Sequence, residues 1–186
     1  MKFIDQFIDG THLDATLAFR RFDNPENLHF NAIAATQNHL FIAGEFGTIW
    51  RSDDDGENWQ LIQTNYEGSF FSIVSGNNND ELLLLGLRGT AFLSGDAGET
   101  WKKLDTETRS TLTAGIRLAS GKTIIVGYDG LVLSGKGENL NSYYRRDMMP
   151  NMAVAQTNNK NLVVVGMGGV RLTAPTGSDV EIADND

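Results

Sequence analysis

The chain has 186 residues, no cysteine, 15 Lys plus Arg against 24 Asp plus Glu, and a formal net charge of −9. That length can bury a good core unaided, and the missing thiols exclude disulfide scaffolds, zinc ribbons, thiol catalysis and iron–sulfur clusters. An acidic surface repels phosphate backbones and anionic lipid, so nucleic acid is not an expected partner, and no apolar run is long enough for membrane insertion.

The chain opens Met1-Lys2-Phe3-Ile4-Asp5-Gln6-Phe7-Ile8-Asp9, an apolar run broken by carboxylates, which does not read as a signal peptide. From residue 25 the chain repeats itself. A Gly-x-x-Gly pair follows a short apolar run four times, at Gly44/Gly47, Gly86/Gly89, Gly127/Gly130 and Gly166/Gly169, steps of roughly 40 residues. The runs Leu40–Ala43, Leu82–Leu85, Thr123–Val126 and Leu162–Val165 predict strands buried on both faces. A second strand follows each glycine pair, so each pair marks a hairpin turn whose glycine supplies a positive φ.

After the second strand come Ser52-Asp53-Asp54-Asp55-Gly56-Glu57-Asn58-Trp59 and Ser94-Gly95-Asp96-Ala97-Gly98-Glu99-Thr100-Trp101, which share the pattern Ser-x-Asp-x-Gly-x-x-Trp. The later copies are decayed: Ser134–Leu140 lacks the Asp and Trp, and Thr173–Val180 keeps only a hydroxyl and a glycine. A third strand follows each box, and a fourth opens the next unit, as in Phe30–Ala34, Phe70–Val74, Leu112–Ile116 and Met152–Ala155. Four short strands per repeat predict an all-β fold, a β-propeller of four-stranded antiparallel blades with about four repeats. The expected blades span 25–65, 66–107, 108–147 and 148–186, all in one propeller domain.

The Ser-x-Asp-x-Gly-x-x-Trp boxes, in register with Gly-x-x-Gly hairpins, resemble the Asp-box, or bacterial neuraminidase repeat (BNR), propellers. More narrowly, Tyr66-Glu67-Gly68-Ser69-Phe70-Phe71 and Gly86-Leu87-Arg88-Gly89-Thr90 resemble the photosystem II stability/assembly factor-like family, in particular bacterial members that accompany transporters of the resistance-nodulation-division type. The resemblance covers about residues 17 to 173. It implies a non-enzymatic scaffold for a protein partner, such as a membrane transporter or assembly complex, with a periplasmic or membrane-associated location. Members of that family usually have a signal sequence and about seven blades, so this chain resembles their C-terminal four, and the resemblance implies that within residues 1–24 Leu17-Ala18-Phe19-Arg20-Arg21-Phe22 forms the outer strand of a preceding blade.

Box residues Ser52, Asp54, Gly56, Trp59, Ser94, Asp96, Gly98 and Trp101 read as structural, with each Asp accepting amides of its own turn. The spacing of Asp53, Asp54 and Asp55 does not match a calcium loop, and His12, His29 and His39 have no metal-ligand spacing, so no metal and no cofactor are expected. An enzymatic alternative is a sialidase-like glycoside hydrolase, with Arg88, Arg117 and Arg171 as a carboxylate-binding cluster and Tyr66 beside Glu67 as nucleophile and partner. A carbohydrate-binding propeller is a further alternative.

Strands that alternate in direction put the Gly-x-x-Gly turns and the blade-to-blade crossings on one face, and the boxes and Asn-rich turns on the other. The first face varies in chemistry, and Glu45, Tyr66, Glu67, Arg88, Arg109, Tyr128 and Asp129 are its expected binding residues, with Tyr144 and Arg145 contributed by a crossing. Four blades with open ends also predict a homo-oligomer, a dimer joined through the open blade faces.

Overall fold

The computed structural model describes residues 24, 27–62, 64–76 and 80–174. The expected strand over 17–22, His12, Asn77–Asn79 and the end of the fourth box lie outside the described residues. The described chain is an all-β propeller of four antiparallel sheets. The first sheet contains β1 (Phe30–Ala35), β2 (Leu40–Gly44), β3 (Ile49–Ser52) and β4 (Gln60–Ile62). The second contains β5 (Phe70–Ser75), β6 (Leu82–Gly86), β7 (Ala91–Ser94) and β8 (Lys102–Lys103). The third contains β9 (Leu112–Arg117), β10 (Thr123–Gly127), β11 (Leu131–Lys136) and β12 (Asn139–Tyr144). The fourth has three strands among the described residues, β13 (Asn151–Gln156), β14 (Leu162–Gly166) and β15 (Gly169–Thr173). Each is a simple meander, and no helix among the described residues is long and apolar enough to cross a membrane.

The inner strands β1, β5, β9 and β13 neighbour one another in that order. Because side chains alternate across a strand, every blade has a leading face toward the preceding blade and a trailing face toward the next. Register assigns the residues. Ile73, Leu84 and Phe92 stand in one row on the leading face of blade 2. They are buried against Phe41, Ala43 and Ile49 of blade 1, with Ala32, Ala34 and Ile62 packed beside them. The next junction sets Ile125, Leu131 and Leu133 of blade 3 on Leu83, Leu85 and Ala91 of blade 2. The last sets Leu162 and Val164 of blade 4 on Ile124, Val126 and Val132 of blade 3. The core is therefore three sandwiches in series, each supplied by two blades, and β6 and β10 are buried along their whole length.

The first three glycine-pair hairpins share one turn. Phe46 and Gly47 have φ of 53° and 68°, Arg88 and Gly89 54° and 71°, and Asp129 and Gly130 58° and 68°. In each, the next N–H bonds back to the carbonyl of Glu45, Leu87 or Tyr128. Two consecutive left-handed residues make a type I′ turn, which matches the twist of a hairpin. The turn centre is thus x-Gly, one residue later than the variable pair between the glycines. The fourth pair differs: Gly166 opposes Gly169 directly, leaving Met167-Gly168 as a shorter loop.

The third box also departs from the sequence reading. Register places Gly135, not Ser134, at the position held by Ser52 and Ser94, because Gly135 opposes Thr123 at the start of β10. Without a box, Lys136 opposes Asn139 across a two-residue turn, and β12 runs six residues where β4 has three and β8 two. The box turn shortens the outer strand, and its loss lets the ladder continue.

Gly89 is held against the following crossing, where a Cβ would fall on the Thr108 carbonyl oxygen, whereas Gly121 (φ 76°) has open space around it. Gly89→Ala should therefore cost about 3 kcal/mol and Gly121→Ala about 1 kcal/mol, the second reflecting backbone strain alone. Denaturant melts of the two variants measure the difference.

Candidate functional site

Each inner strand carries a β-bulge at the same place. The ladders skip Asn31, Phe71, Thr113 and Met152, so none of the four has a ladder partner across its hairpin. A bulge adds one residue to a strand and re-aims its side chain. All four side chains line one hollow of about 300 Å³, completed by Thr111 and Tyr128, where the inner strands begin. This is the mouth of the central channel.

Its polar groups are spent on joining blades. Asn31 Nδ2 donates to the Phe70 carbonyl at 2.8 Å. The Thr113 hydroxyl reaches the Asn151 carbonyl at 2.7 Å, and Asn151 Nδ2 donates to the Leu131 carbonyl at 3.1 Å. Phe71, Met152 and Tyr128 remain as the apolar part of the lining, and none of the six residues is charged. A neutral, part-aromatic hollow suits an apolar side chain better than an ion.

The type I′ turns surround the mouth and pack on the crossings. The Gly47 N–H donates to the Gly68 carbonyl at 2.7 Å, Thr106 Oγ1 donates to the Gly89 carbonyl at 2.7 Å, and the Arg145 N–H donates to the Gly130 carbonyl at 3.1 Å. Turns and crossings thus share one face. Of the expected binding residues, Arg88 and Arg109 meet at a second cleft of about 420 Å³, with Lys103, Asp105 and Glu107 also on its walls. Tyr128 lines the channel mouth at 44% exposure. Glu67 is exposed on the first crossing. Glu45 accepts the His29 N–H at 3.0 Å, and Asp129 accepts the Ser110 hydroxyl at 2.7 Å, so both carboxylates are positioned. Tyr66 has a packing role: its ring lies 4.9 Å from Phe70 and 5.9 Å from Phe92, closing the first blade junction. Tyr144 bonds Thr108. Arg145 is buried and shares Asp147 with Arg171.

The three arginines of the glycosidase alternative do not converge. Arg88 is on an exposed turn, and Arg171 is tied to Asp147. Arg117 sits at the far end of β9, opposite Thr123 in the ladder and paired with Glu81 and the Thr123 hydroxyl.

The two intact boxes have the same internal wiring. Ser52 Oγ donates to Asp54 at 2.9 Å and accepts the Gly56 N–H at 2.8 Å, while Asp54 accepts the Asn58 N–H at 2.8 Å. Ser94, Asp96, Gly98 and Thr100 repeat those contacts at 2.7, 2.9 and 2.9 Å. Trp59 Nε1 donates to the Gly56 carbonyl, and the Trp101 indole packs against the first blade junction. The second box also clamps its neighbour, since Arg51 of blade 1 donates to the Ala97 carbonyl at 3.2 Å and to Glu99 at 2.5 Å. Ala97 N–H bonds the Asp80 carbonyl, so the box and the residues leading into β6 share the face opposite the crossings. Asp53 turns instead to His39 and Arg51.

No family model and no curated protein matches the chain. Solved structures do. YCF48 bound to a D1 peptide is 18% identical, with 87% of this chain covering 55% of that one at a TM-score of 0.67. U3-55K is 11% identical, with 86% covering 52% at 0.70. An ancestral GH74 enzyme is 14% identical, with 84% covering 24% at 0.68. The chain thus spans about half, or less, of the length of these three. At such identities the likeness concerns architecture, and the architecture is a β-propeller.

The box carboxylates also set an acid limit. Hydrogen bonds from the Asn58 backbone and side chain hold Asp54 below its usual range, and those from the Thr100 side chain and backbone do the same for Asp96. A lowered folded-state pKa contributes stability that is present above the unfolded value of about 3.9 and is lost as pH falls through the folded value. Wild-type denaturant midpoints should therefore fall as pH drops below about 4, and the Asp54→Asn/Asp96→Asn variant should have a flatter acid limb from a lower plateau.

Proposed function

We propose that this propeller is a non-enzymatic scaffold that binds a protein partner on its turn-and-crossing face, with an apolar side chain of the partner seated in the channel mouth. The carrying observation is the convergence of four inner-strand bulge residues, Asn31, Phe71, Thr113 and Met152, on one neutral hollow. A bulge repeated in four blades costs ladder pairing each time, and a site that needs its side chains aimed inward accounts for the repetition. The neighbouring cleft adds charge of both signs beside that anchor, Arg88, Lys103 and Arg109 with Asp105 and Glu107 on the same walls. Large apolar anchors beside arginines are the residue types that dominate interface energies.

YCF48, a neighbour in fold, has been solved with a bound D1 peptide, which supports reading the propeller as a peptide-binding scaffold. The resemblance to Asp-box, photosystem II assembly factor-like propellers extends the reading to a membrane transporter or assembly complex as the partner class. The dispersal of Arg88, Arg117 and Arg171 favours the scaffold over a sialidase-like enzyme, and a fluorogenic sialoside should give no turnover above a heat-denatured control.

Phe71→Ala and Tyr128→Ala should each weaken a captured partner by about tenfold or more, with melting temperature changed little for the exposed Tyr128. Asn159→Ala, on the opposite face, should leave binding unchanged. Capture from native membranes followed by titration of the isolated partner is the measurement. Loss of binding in Asn159→Ala with retention in both ring variants would place the partner on the wrong side of the disc.

A further inference from the structure

The exposed apolar side chains of the turn-and-crossing face are concentrated in one sector of it. Four of the five methionines fall between residues 148 and 167. Met148, Met149, Met152 and Met167 are between 43% and 77% exposed, and among the described residues no methionine belongs to any of the three blade junctions. Methionine ordinarily fills cores, so four of them in the open call for another account. Tyr128, which shares the hollow with Met152, and Tyr144, where β12 runs into the crossing to blade 4, are exposed as well.

Backbone contacts hold the pieces of this sector together. The Met148 N–H donates to the Arg145 carbonyl at 3.1 Å, turning the crossing between blades 3 and 4 at a left-handed Met148 (φ 54°). The Met167 N–H donates to the Pro150 carbonyl at 3.1 Å, which seats the fourth hairpin turn on that crossing, and a Cβ on Gly168 would lie 3.4 Å from the Met149 Cβ. Two residues beyond Pro150, the bulge delivers Met152 to the channel mouth. The four methionines thus run from the mouth outward over the crossing and the fourth turn. Charge sets this part of the chain apart too. Between residues 143 and 173 stand Arg145, Arg146, Lys160 and Arg171 against Asp147 alone, in a chain of net charge −9. Asp147 is already shared by Arg145 and Arg171, and Arg146 is exposed.

We propose that this sector docks an amphipathic acidic segment of a protein partner, whose apolar side chains rest on the methionines and whose carboxylates face Arg146 and Arg171. Unbranched, polarizable thioethers adapt to apolar side chains of different shapes. Complementary charge sets which way the segment lies, and the opposite face, with Asp53, Asp54, Asp55 and Asp96 in its boxes, repels the same segment. The inference rests on the proposed protein-binding reading of this face, and adds to it the place of the footprint, around blade 4, and the chemistry of the partner.

The probes are two fluorescein-labelled peptides, one of leucine and glutamate at helical spacing and one of leucine and lysine in the same order. Fluorescence anisotropy on the full chain should show the leucine–glutamate peptide bound at least about tenfold more tightly than the leucine–lysine peptide. The Met148→Ser/Met149→Ser variant and Met167→Ser should each weaken it about tenfold or more, with an unchanged circular dichroism spectrum because these side chains are exposed. Arg146→Glu should abolish the preference for glutamate over lysine. Phe71→Ala separates the two readings. Binding lost in Phe71→Ala but kept in the methionine variants places the segment in the channel mouth alone, which leaves the proposed function standing and overturns the inference. Equal binding of the two peptides overturns it, as does no binding of the leucine–glutamate peptide. Binding to phosphatidylcholine–phosphatidylglycerol vesicles that the methionine variants abolish, without binding of either peptide, would mark a lipid-facing surface and overturn it as well.

Discussion

The structure depends on one constraint: a sheet with two apolar faces cannot stand alone in water. β6 and β10 have no solvated face, so each blade must be sandwiched. Repetition is the solution, since a second copy of the same sheet offers the complementary surface. Fully burying a Leu or Ile side chain stabilises by about 1.5–3 kcal/mol. Each junction contains at least six buried apolar residues, so the three junctions outweigh the surface ion pairs of the boxes and loops.

The polar network serves the sandwiches more than it competes with them. Ser52 and Ser94 are almost fully buried, yet their hydroxyls each have two partners inside a box. Asn151, also buried, donates to a carbonyl of the preceding blade. The box turn then places Ala97 and Gly98 against Phe41 and Ile62 of the neighbouring blade, where a Gly98 Cβ would come within 3.2 Å of Ile62. The glycine of the box is thus as much a packing residue as a turn residue. Where the box is lost, in blade 3, a longer outer strand replaces it and the junction with blade 2 is still buried, with Leu140 packed against it.

The period, strand runs and glycine turns were legible in the sequence because each is a local signal: an apolar run ended by a residue that tolerates positive φ. The division of residues between faces followed from alternation. The bulges were not legible, because a bulge is a slip in pairing between two strands and leaves no mark in either alone. In retrospect only Phe70-Phe71-Ser72-Ile73 breaks strict alternation at its second residue, whereas Leu112-Thr113-Ala114 keeps it. The third box was misplaced by one residue for the same reason, since Ser134 looked like the box hydroxyl until the ladder set Gly135 opposite Thr123. Tyr66 illustrates the limit for sites: an aromatic beside a carboxylate on a crossing reads as a contact residue, while its ring closes a blade junction.

If burial between blades is what holds the molecule, local stability must follow the number of covered faces. Amide hydrogen exchange measures this strand by strand. The account predicts the slowest exchange in β6 and β10, which have blades on both sides, and markedly faster exchange in β14, which has one among the described residues. Protection in β14 equal to that in β10 would contradict it, because hydrogen bonding within each sheet would then suffice without the sandwich.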